Sequence, residues 1–374
     1  KLLYFCTLTI NLNFMRKFIF SIVFLLVCNV YGFSQYNQES SRSILDSLFT
    51  IKNAKDSLRL DKIEKTLFYL PRIFGYLKTD FEWNTEKGET RFLLRNARIG
   101  VMGNLNPVIN YAMEVDLSDE GVFRVLKAYT VYKPYSNDKH QLSFWFGYQK
   151  PFFSSEYLRS PMDIFFIRRS LVVNDMTAGI VDVGVIANYA FKNNILPFEL
   201  SLGVMNGMGY KNLPFSVPNY TGRLRLSPIE SVNIIAEYYG GHTPAADNLN
   251  MWGFECNFKQ SSFFIEAEYF HKQIEYIDSF MTKKSNGLLF QTYYSFPLKN
   301  TKLIHYIAPT LRWDMLGPDF FTEKLQNARL TVGVNVGIDN KFLKAEFRLN
   351  FEKCFKSISI QGNDMFLTEI IVSI

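Results

Sequence analysis

From Leu70 to its end the chain alternates, with an apolar side chain at every second position and a polar or charged one between. Ile109, Tyr111, Met113, Val115 and Leu117 interleave with Asn110, Ala112, Glu114 and Asp116. Leu142, Phe144, Phe146 and Tyr148 interleave with Ser143, Trp145, Gly147 and Gln149, and Ala97, Ile99 and Val101 with Asn96, Arg98 and Gly100. A period of two belongs to a strand whose two faces meet different surroundings. A charged face must meet water, so the apolar face lies either in the core of a soluble sandwich or against lipid. Aromatic residues make up 16% of the chain and mean hydropathy is −0.03. Past the N-terminus there is no apolar run of the roughly 20 residues a membrane helix needs. This combination predicts an all-β chain, a transmembrane antiparallel β-barrel.

The N-terminus reads as a targeting segment. Met15-Arg16-Lys17 precede the apolar stretch Phe18 to Val27, and Gly32-Phe33-Ser34-Gln35 supply small and polar residues for cleavage after Ser34. These are the three parts of a secretory signal peptide. Residues 1–14 contain no Met and read as upstream sequence. Segment 1–34 is therefore expected to be removed, with 35–69 a short periplasmic leader, either an amphipathic helix through Ile44, Leu48, Ile51 and Leu58 or a loosely ordered stretch, and 70–374 the barrel. Taking Lys1, Arg16 and Lys17 from the formal net charge of +6 leaves +3, too weak a balance to argue for nucleic acid. Of four cysteines only Cys256 and Cys354 follow the cleavage point, with no His or Cys at metal-ligand spacing; no metal or cofactor is implied.

The alternation resolves into sixteen strands, from 70–83 to 365–374. Turn-rich pieces such as Asn104-Leu105-Asn106, Ser227-Pro228, Lys299-Asn300 and Asp339-Asn340-Lys341 join even strands to odd ones. The opposite connections are longer, notably 150–178, 207–218, 274–285 and 355–364. Short turns alternating with long loops on an even strand number fit an outer-membrane barrel, which must close because lipid offers nothing to an unpaired edge. Residues 150–178 far exceed an ordinary connection of about 4–6 residues. They mix apolar, basic and acidic groups, so this third extracellular loop is expected to fold inward and narrow the lumen.

Several motifs in order carry a resemblance. Gly147-Tyr148-Gln149-Lys150-Pro151-Phe152, then Glu156 and Phe166-Ile167-Arg168-Arg169-Ser170, resemble the phosphate-selective porin O and P family of Gram-negative outer membranes. Asn96 to Val101, Asp182 to Val185, Gly203 to Gly207 and Arg223 to Pro228 agree in sequence order. The resemblance covers about residues 70–230; beyond these only the strand rhythm matches. It implies a sixteen-stranded homotrimeric porin in the outer membrane, constricted by its third loop, with Lys150 and Arg169 at the family's recurrent basic positions. Two features depart from the family pattern: the loop also holds Glu156 and Asp163, and no dense ladder of arginines runs along one face. The last residue, Ile374, also replaces the terminal Phe common in such barrels.

A basic residue at a constriction lowers the barrier for anions and raises it for cations. The candidates for pore constriction and anion selectivity are Lys150, Arg159, Arg168 and Arg169, with Arg95 and Arg98 on the adjoining second strand. Equally, Arg168 and Arg169 could pair with Glu156 and Asp163 and pin the loop to the wall; the two roles are compatible. The histidines, His140, His242, His271 and His305, have no serine two residues away on the same strand face, so no nucleophile–base arrangement is legible. The expected function is passive diffusion of small hydrophilic solutes, preferentially anions such as phosphate. The competing expectation is a non-conducting structural or assembly barrel.

Overall fold

The computed structural model describes residues 68–373 except 120–121, 178–179, 193–195, 208–216, 244–245, 277–280, 299–302, 319–326, 340–343 and 357–362. The expectations for the signal segment 1–34 and for the leader, save its last two residues, lie outside the described residues.

The strands are β1 (Arg72–Asn84), β2 (Glu89–Asn106), β3 (Ile109–Asp116), β4 (Arg124–Ser136), β5 (His140–Gln149), β6 (Asp182–Phe191), β7 (Phe198–Met205) and β8 (Asn219–Ile229). They continue as β9 (Val232–Thr243), β10 (Ala246–Gln260), β11 (Phe263–Tyr276), β12 (Thr282–Tyr294), β13 (Phe296–Pro297), β14 (Tyr306–Gly317), β15 (Asn327–Asp339), β16 (Lys344–Lys356) and β17 (Met365–Ser373). Each pairs antiparallel with its neighbours in sequence, and β1 pairs with both β2 and β17, which closes the sheet. The two-residue β13 shares a partner, β14, with β12. Sixteen strands therefore surround the barrel, the number read from the alternation.

Local chemistry sets the tight turns. Asn84 Oδ1 accepts from the N–H groups of Glu86 and Lys87, and Gly88 takes a positive φ of 72° before β2 begins. At the opposite end Asn106 accepts from Val108, and Asn137 accepts from Lys139 and His140. Within β5, Gly147 has φ 129°, and a Cβ there would lie 2.4 Å from the Ala128 carbonyl oxygen. Only glycine fits that position.

The structure decides which face is wet. On β1, Tyr76, Lys78, Asp80 and Glu82 are buried while Ile73 and Leu77 are exposed. On β14, Thr310, Arg312 and Asp314 are buried and Leu311 is exposed. Leu202, Val204, Leu224, Ile234, Phe254, Phe290, Val332 and Phe351 extend the exposed apolar face around the wall. A soluble sandwich buries its apolar face; here the charged face is the covered one. An exposed apolar band on a closed barrel is what lipid requires.

Three strand starts depart from expectation by four residues; one of them, β14, begins at Tyr306 where 302 was expected. β10 begins at Ala246 and β12 at Thr282, several residues before the alternation becomes visible, and the connection expected at 274–285 shrinks accordingly. The ladder continues there because backbone pairing, such as Glu275 with Thr282, needs no apolar side chain. Cys256 lies on the exposed face of β10 and Cys354 on the covered face of β16, both free.

Candidate constriction

Many contacts of the covered face are made with the segment that joins β5 to β6. This segment holds two short helices, α1 (Ser155–Leu158) and α2 (Leu171–Thr177). One half is fastened by apolar contact. Phe153, Tyr157, Val172, Val173 and Met176 form one buried cluster with Tyr239, Leu249, Met251, Phe270 and Leu289 of β9 to β12. Burying each such side chain is worth about 1.5–3 kcal/mol. The apolar residues sensed in the loop sequence thus meet a local apolar patch on an otherwise polar face.

The other half is fastened by charge. Ser154, the N-cap of α1, has φ 57°, a left-handed conformation uncommon outside glycine. Carboxylates hold it there: the Ser154 N–H donates to Glu237 at 2.8 Å and its hydroxyl to Glu268 at 2.8 Å. The Ser155 N–H donates to Glu255 at 2.8 Å, and that of Glu156 to Glu268 at 3.0 Å. Beyond α1, Lys78 of β1 donates to the Pro161 carbonyl, Arg348 of β16 to Met162, and Asn335 of β15 to Phe165. Arg312 of β14 and Arg329 of β15 donate to the carbonyls of Arg168 and Arg169. Arg223 of β8 donates to the Ser155 hydroxyl at 2.7 Å, so anchors stand on β1, on β8 to β12 and on β14 to β16.

The six basic candidates fall into two groups. Four meet carboxylates on the wall. Arg95 pairs with Asp80 and Glu82, and Arg98 with Asp116 at 2.8 Å and Glu114 at 3.3 Å. Arg159 grips Glu266 with both terminal nitrogens and lies beside the rings of Phe165 and Phe264. Arg168 pairs with Glu82 and, at 3.6 Å, with Glu352. The remaining two address the segment itself. Arg169 donates to the carbonyls of Glu156 and Arg159, and Lys150 to that of Tyr157, with its ammonium 4.4 Å from the Tyr157 ring centre. Burial, reinforced by the Arg169 guanidinium, pushes Lys150 down to about 6.

The loop-pinning acids divide as well. Glu156 is buried, accepts from the Ser170 N–H at 3.0 Å and faces Arg312 at 3.5 Å. Its cationic partner is thus a wall arginine, while Arg169 uses its backbone carbonyl. Asp163 is exposed and lines a 240 Å³ recess with Met162, Tyr306 and Glu346. Pinning is achieved mostly by residues that single strands do not advertise: Glu82, Glu237, Glu255, Glu266, Glu268 and Glu352. Arginines do occur on consecutive strands of the wall, Arg312 on β14, Arg329 on β15 and Arg348 on β16, each with acidic partners; Arg312 and Arg329 share Asp314, while Arg348 stands across from Asn335, farther along β15. A charged residue at even spacing on a polar face, as in Glu266-x-Glu268 and Arg312-x-Asp314, was the available signal. Among the described residues no group of His, Cys, Asp and Glu is arranged to hold a metal ion.

Residues 74–232 match the family model described as phosphate-selective porin O and P. No curated protein matches the chain. Solved structures match it along almost their whole length. OmpF of Salmonella typhi in complex with daunomycin has a TM-score of 0.60 at 11% identity, covering 82% of this chain and 98% of that one. An anion-selective porin from Comamonas acidovorans has 0.58 at 10%, covering 81% and 98%. The trimer form of OmpT, an outer membrane protein of Vibrio cholerae, has 0.56 at 11%, covering 82% and 99%. At such identities the likeness is one of fold. The resemblance read from Gly147 to Ser170 thus holds as a match to the phosphate-selective porin O and P family over residues 74–232, within a barrel that has the fold of outer-membrane porins.

Proposed function

We propose that the protein is an outer-membrane porin: a water-filled channel for passive diffusion of small hydrophilic solutes, with a preference for anions, phosphate among them. The segment between β5 and β6 crosses the lumen and narrows it. The observation that carries this reading is the charged face: one segment is fastened to strands on widely separated parts of a closed wall, which supports a path through the interior. Lys150, Arg159, Arg168 and Arg169, with Arg95 and Arg98, then border the narrowest passage. The family match and the anion-selective porin of the same fold support this. Homotrimeric assembly is supported by the trimer form of a fold neighbour. Export through a cleaved signal peptide follows from residues 15–35. A guanidinium paired with a carboxylate contributes little net field, so the expected anion preference is modest.

The test is the zero-current potential of purified protein in a planar bilayer across a KCl gradient. Stepwise conductance with a chloride-favouring potential is expected, followed by competition with phosphate. Folded protein that never conducts would instead establish the structural barrel, a reading favoured by the complete burial of Arg312, Glu268 and Glu369 under the segment. Replacing Lys150, Arg168 and Arg169 together with Gln should shift the potential toward cations while the barrel stays folded; an unchanged potential would sink their assignment.

Lys150 adds a pH dependence. Its folded value is depressed, so the ammonium is present only below about pH 6. Anion preference should therefore climb as pH falls through that value, and Lys150→Gln should flatten the climb. Stability runs the other way. Between about 6 and the ordinary lysine range the unfolded chain holds a proton that the folded one has released, so this group's contribution favours folding more as pH rises.

A further inference from the structure

The anchors described above occupy β1, β8 to β12 and β14 to β16. The longest remaining arc, β2 to β7, faces the lumen in the porin reading, and it carries a feature that passage of small ions does not call for. Tyr129 of β4 and Trp145 of β5 point to the polar face, their ring centres 5.0 Å apart. Phe152, three residues past β5, meets Trp145 edge-on at 5.6 Å. All three rings are half-buried. Register places Val131 and Ile186, both buried, directly across from Trp145, and the Trp145 Nε1–H donates to Ser143 at 3.3 Å. The indole is thus held from both flanking strands.

A row of polar groups runs beside these rings. Glu114 of β3 meets Lys127 at 2.7 Å and Arg98 at 3.3 Å, and Arg98 also meets Asp116. Lys127 stands two residues before Tyr129 on the same face of β4. Two cations and two anions are paired on this row, which weakens its attraction for an ion. It does offer charge-assisted hydrogen bonds of both senses to a neutral partner. An aromatic face carries negative charge density and attracts the positive edges of C–H groups. A small number of polar groups beside aromatic surface is also the usual make-up of a binding site for an uncharged organic molecule.

We propose that the Tyr129–Trp145–Phe152 strip, with Arg98, Glu114, Asp116 and Lys127, is a stacking site for the ring of a neutral pyranose sugar. The C–H face of the sugar lies on the aromatic rings while its hydroxyls bond to the compensated charge row. The site rests on the porin reading for its access, and it extends the solute range from small anions to sugars.

The test uses maltose as the probe and sorbitol, a polyol without a ring face, as its control. In a KCl-bathed bilayer maltose should reduce the open-channel current in a saturable manner, and sorbitol should act only through viscosity. Trp145→Ala should weaken half-block about tenfold, equivalent to about 1.4 kcal/mol, relative to the open current of that variant; Trp145→Phe, which keeps a ring, should retain most of it. Tryptophan emission of the detergent-folded protein supplies a second readout that needs no conduction. Maltose should change it, and Tyr129→Ala should raise the concentration required. Equal effects of maltose and sorbitol, or a half-block untouched by Trp145→Ala, would overturn the sugar site while leaving a conducting porin intact. A silent bilayer with a maltose-dependent emission change would keep the sugar site and remove the porin reading. No maltose-dependent change in either readout would remove the site.

Discussion

Arg312→Met is expected to destabilise the protein by about 3–5 kcal/mol, the cost of leaving buried charges without their partner. Arg312 is completely buried. It faces Asp314 at 3.3 Å, Glu156 at 3.5 Å and Glu352 at 3.7 Å, donates to the Arg168 carbonyl at 2.8 Å, and covers the Phe166 ring at 4.4 Å. Methionine fills a similar volume, so lost packing accounts for little of the effect. Three carboxylates would remain, with Arg329 and Arg168 as the nearest cations. The consequence should be local before it is global: the segment between β5 and β6 comes off β14 and β16. The measurements are thermal unfolding in detergent and the rate of proteolysis within 150–181. A cost under about 1 kcal/mol, the level of a solvent-screened surface pair, would show that water reaches this network and that Arg312 does not fasten the segment.

The second large effect is expected at Glu268. Its two oxygens accept from the Ser154 hydroxyl and the Glu156 N–H, both buried. Glu268→Ala orphans both donors, and each unsatisfied buried group costs about 1–3 kcal/mol. It also removes a clamp on the left-handed Ser154, whose strain persists only while its surroundings enforce it. Glu268→Gln keeps an acceptor for one donor and relieves repulsion among Glu237, Glu255, Glu266 and Glu268, so it should cost far less than the alanine change. The two variants should therefore separate in protease sensitivity at 150–181 and in channel noise. Equal behaviour of Gln and Ala would show that the carboxylate position, not its charge, is irrelevant to the turn.

These predictions depend on residues that a linear reading could not rank. The strands themselves were legible, because a wall with one apolar and one charged face writes a period of two into every element; β5 is found at His140–Gln149 as read. Where the outer face turns polar, as at Thr282 and Lys284 in β12, the period fades although the ladder runs on. The segment was legible as ordered and as basic. Its partners were not, since Glu82, Glu268 and Glu352 reach it through folding contacts that span 86 to 184 positions of chain. The grouping of arginines was invisible for the same reason. Arg312 and Arg329 are 17 residues apart in sequence, and only the register of β14 with β15 brings both to Asp314. Trp145 stood in plain view on the polar face of β5, yet a lone indole among polar neighbours has meaning only when Tyr129 and Phe152 are placed next to it.

The seam between β1 and β17 governs the order in which this molecule can be made. β1 pairs at once with β2, yet its other neighbour is the last strand of the chain, matched from Tyr76 with Ser373 to Asn84 with Met365. Until β17 arrives, every intermediate presents two open edges, the configuration most prone to pair with another chain. Most anchors of the segment between β5 and β6 stand on β8 to β16, all made after it, so fastening it belongs to the same late step as sealing the wall. Loss of residues 365–373 is therefore no trimming of a terminus: it leaves an unsealed sheet around an unfastened segment, a substrate for proteolysis and aggregation in place of a shortened barrel.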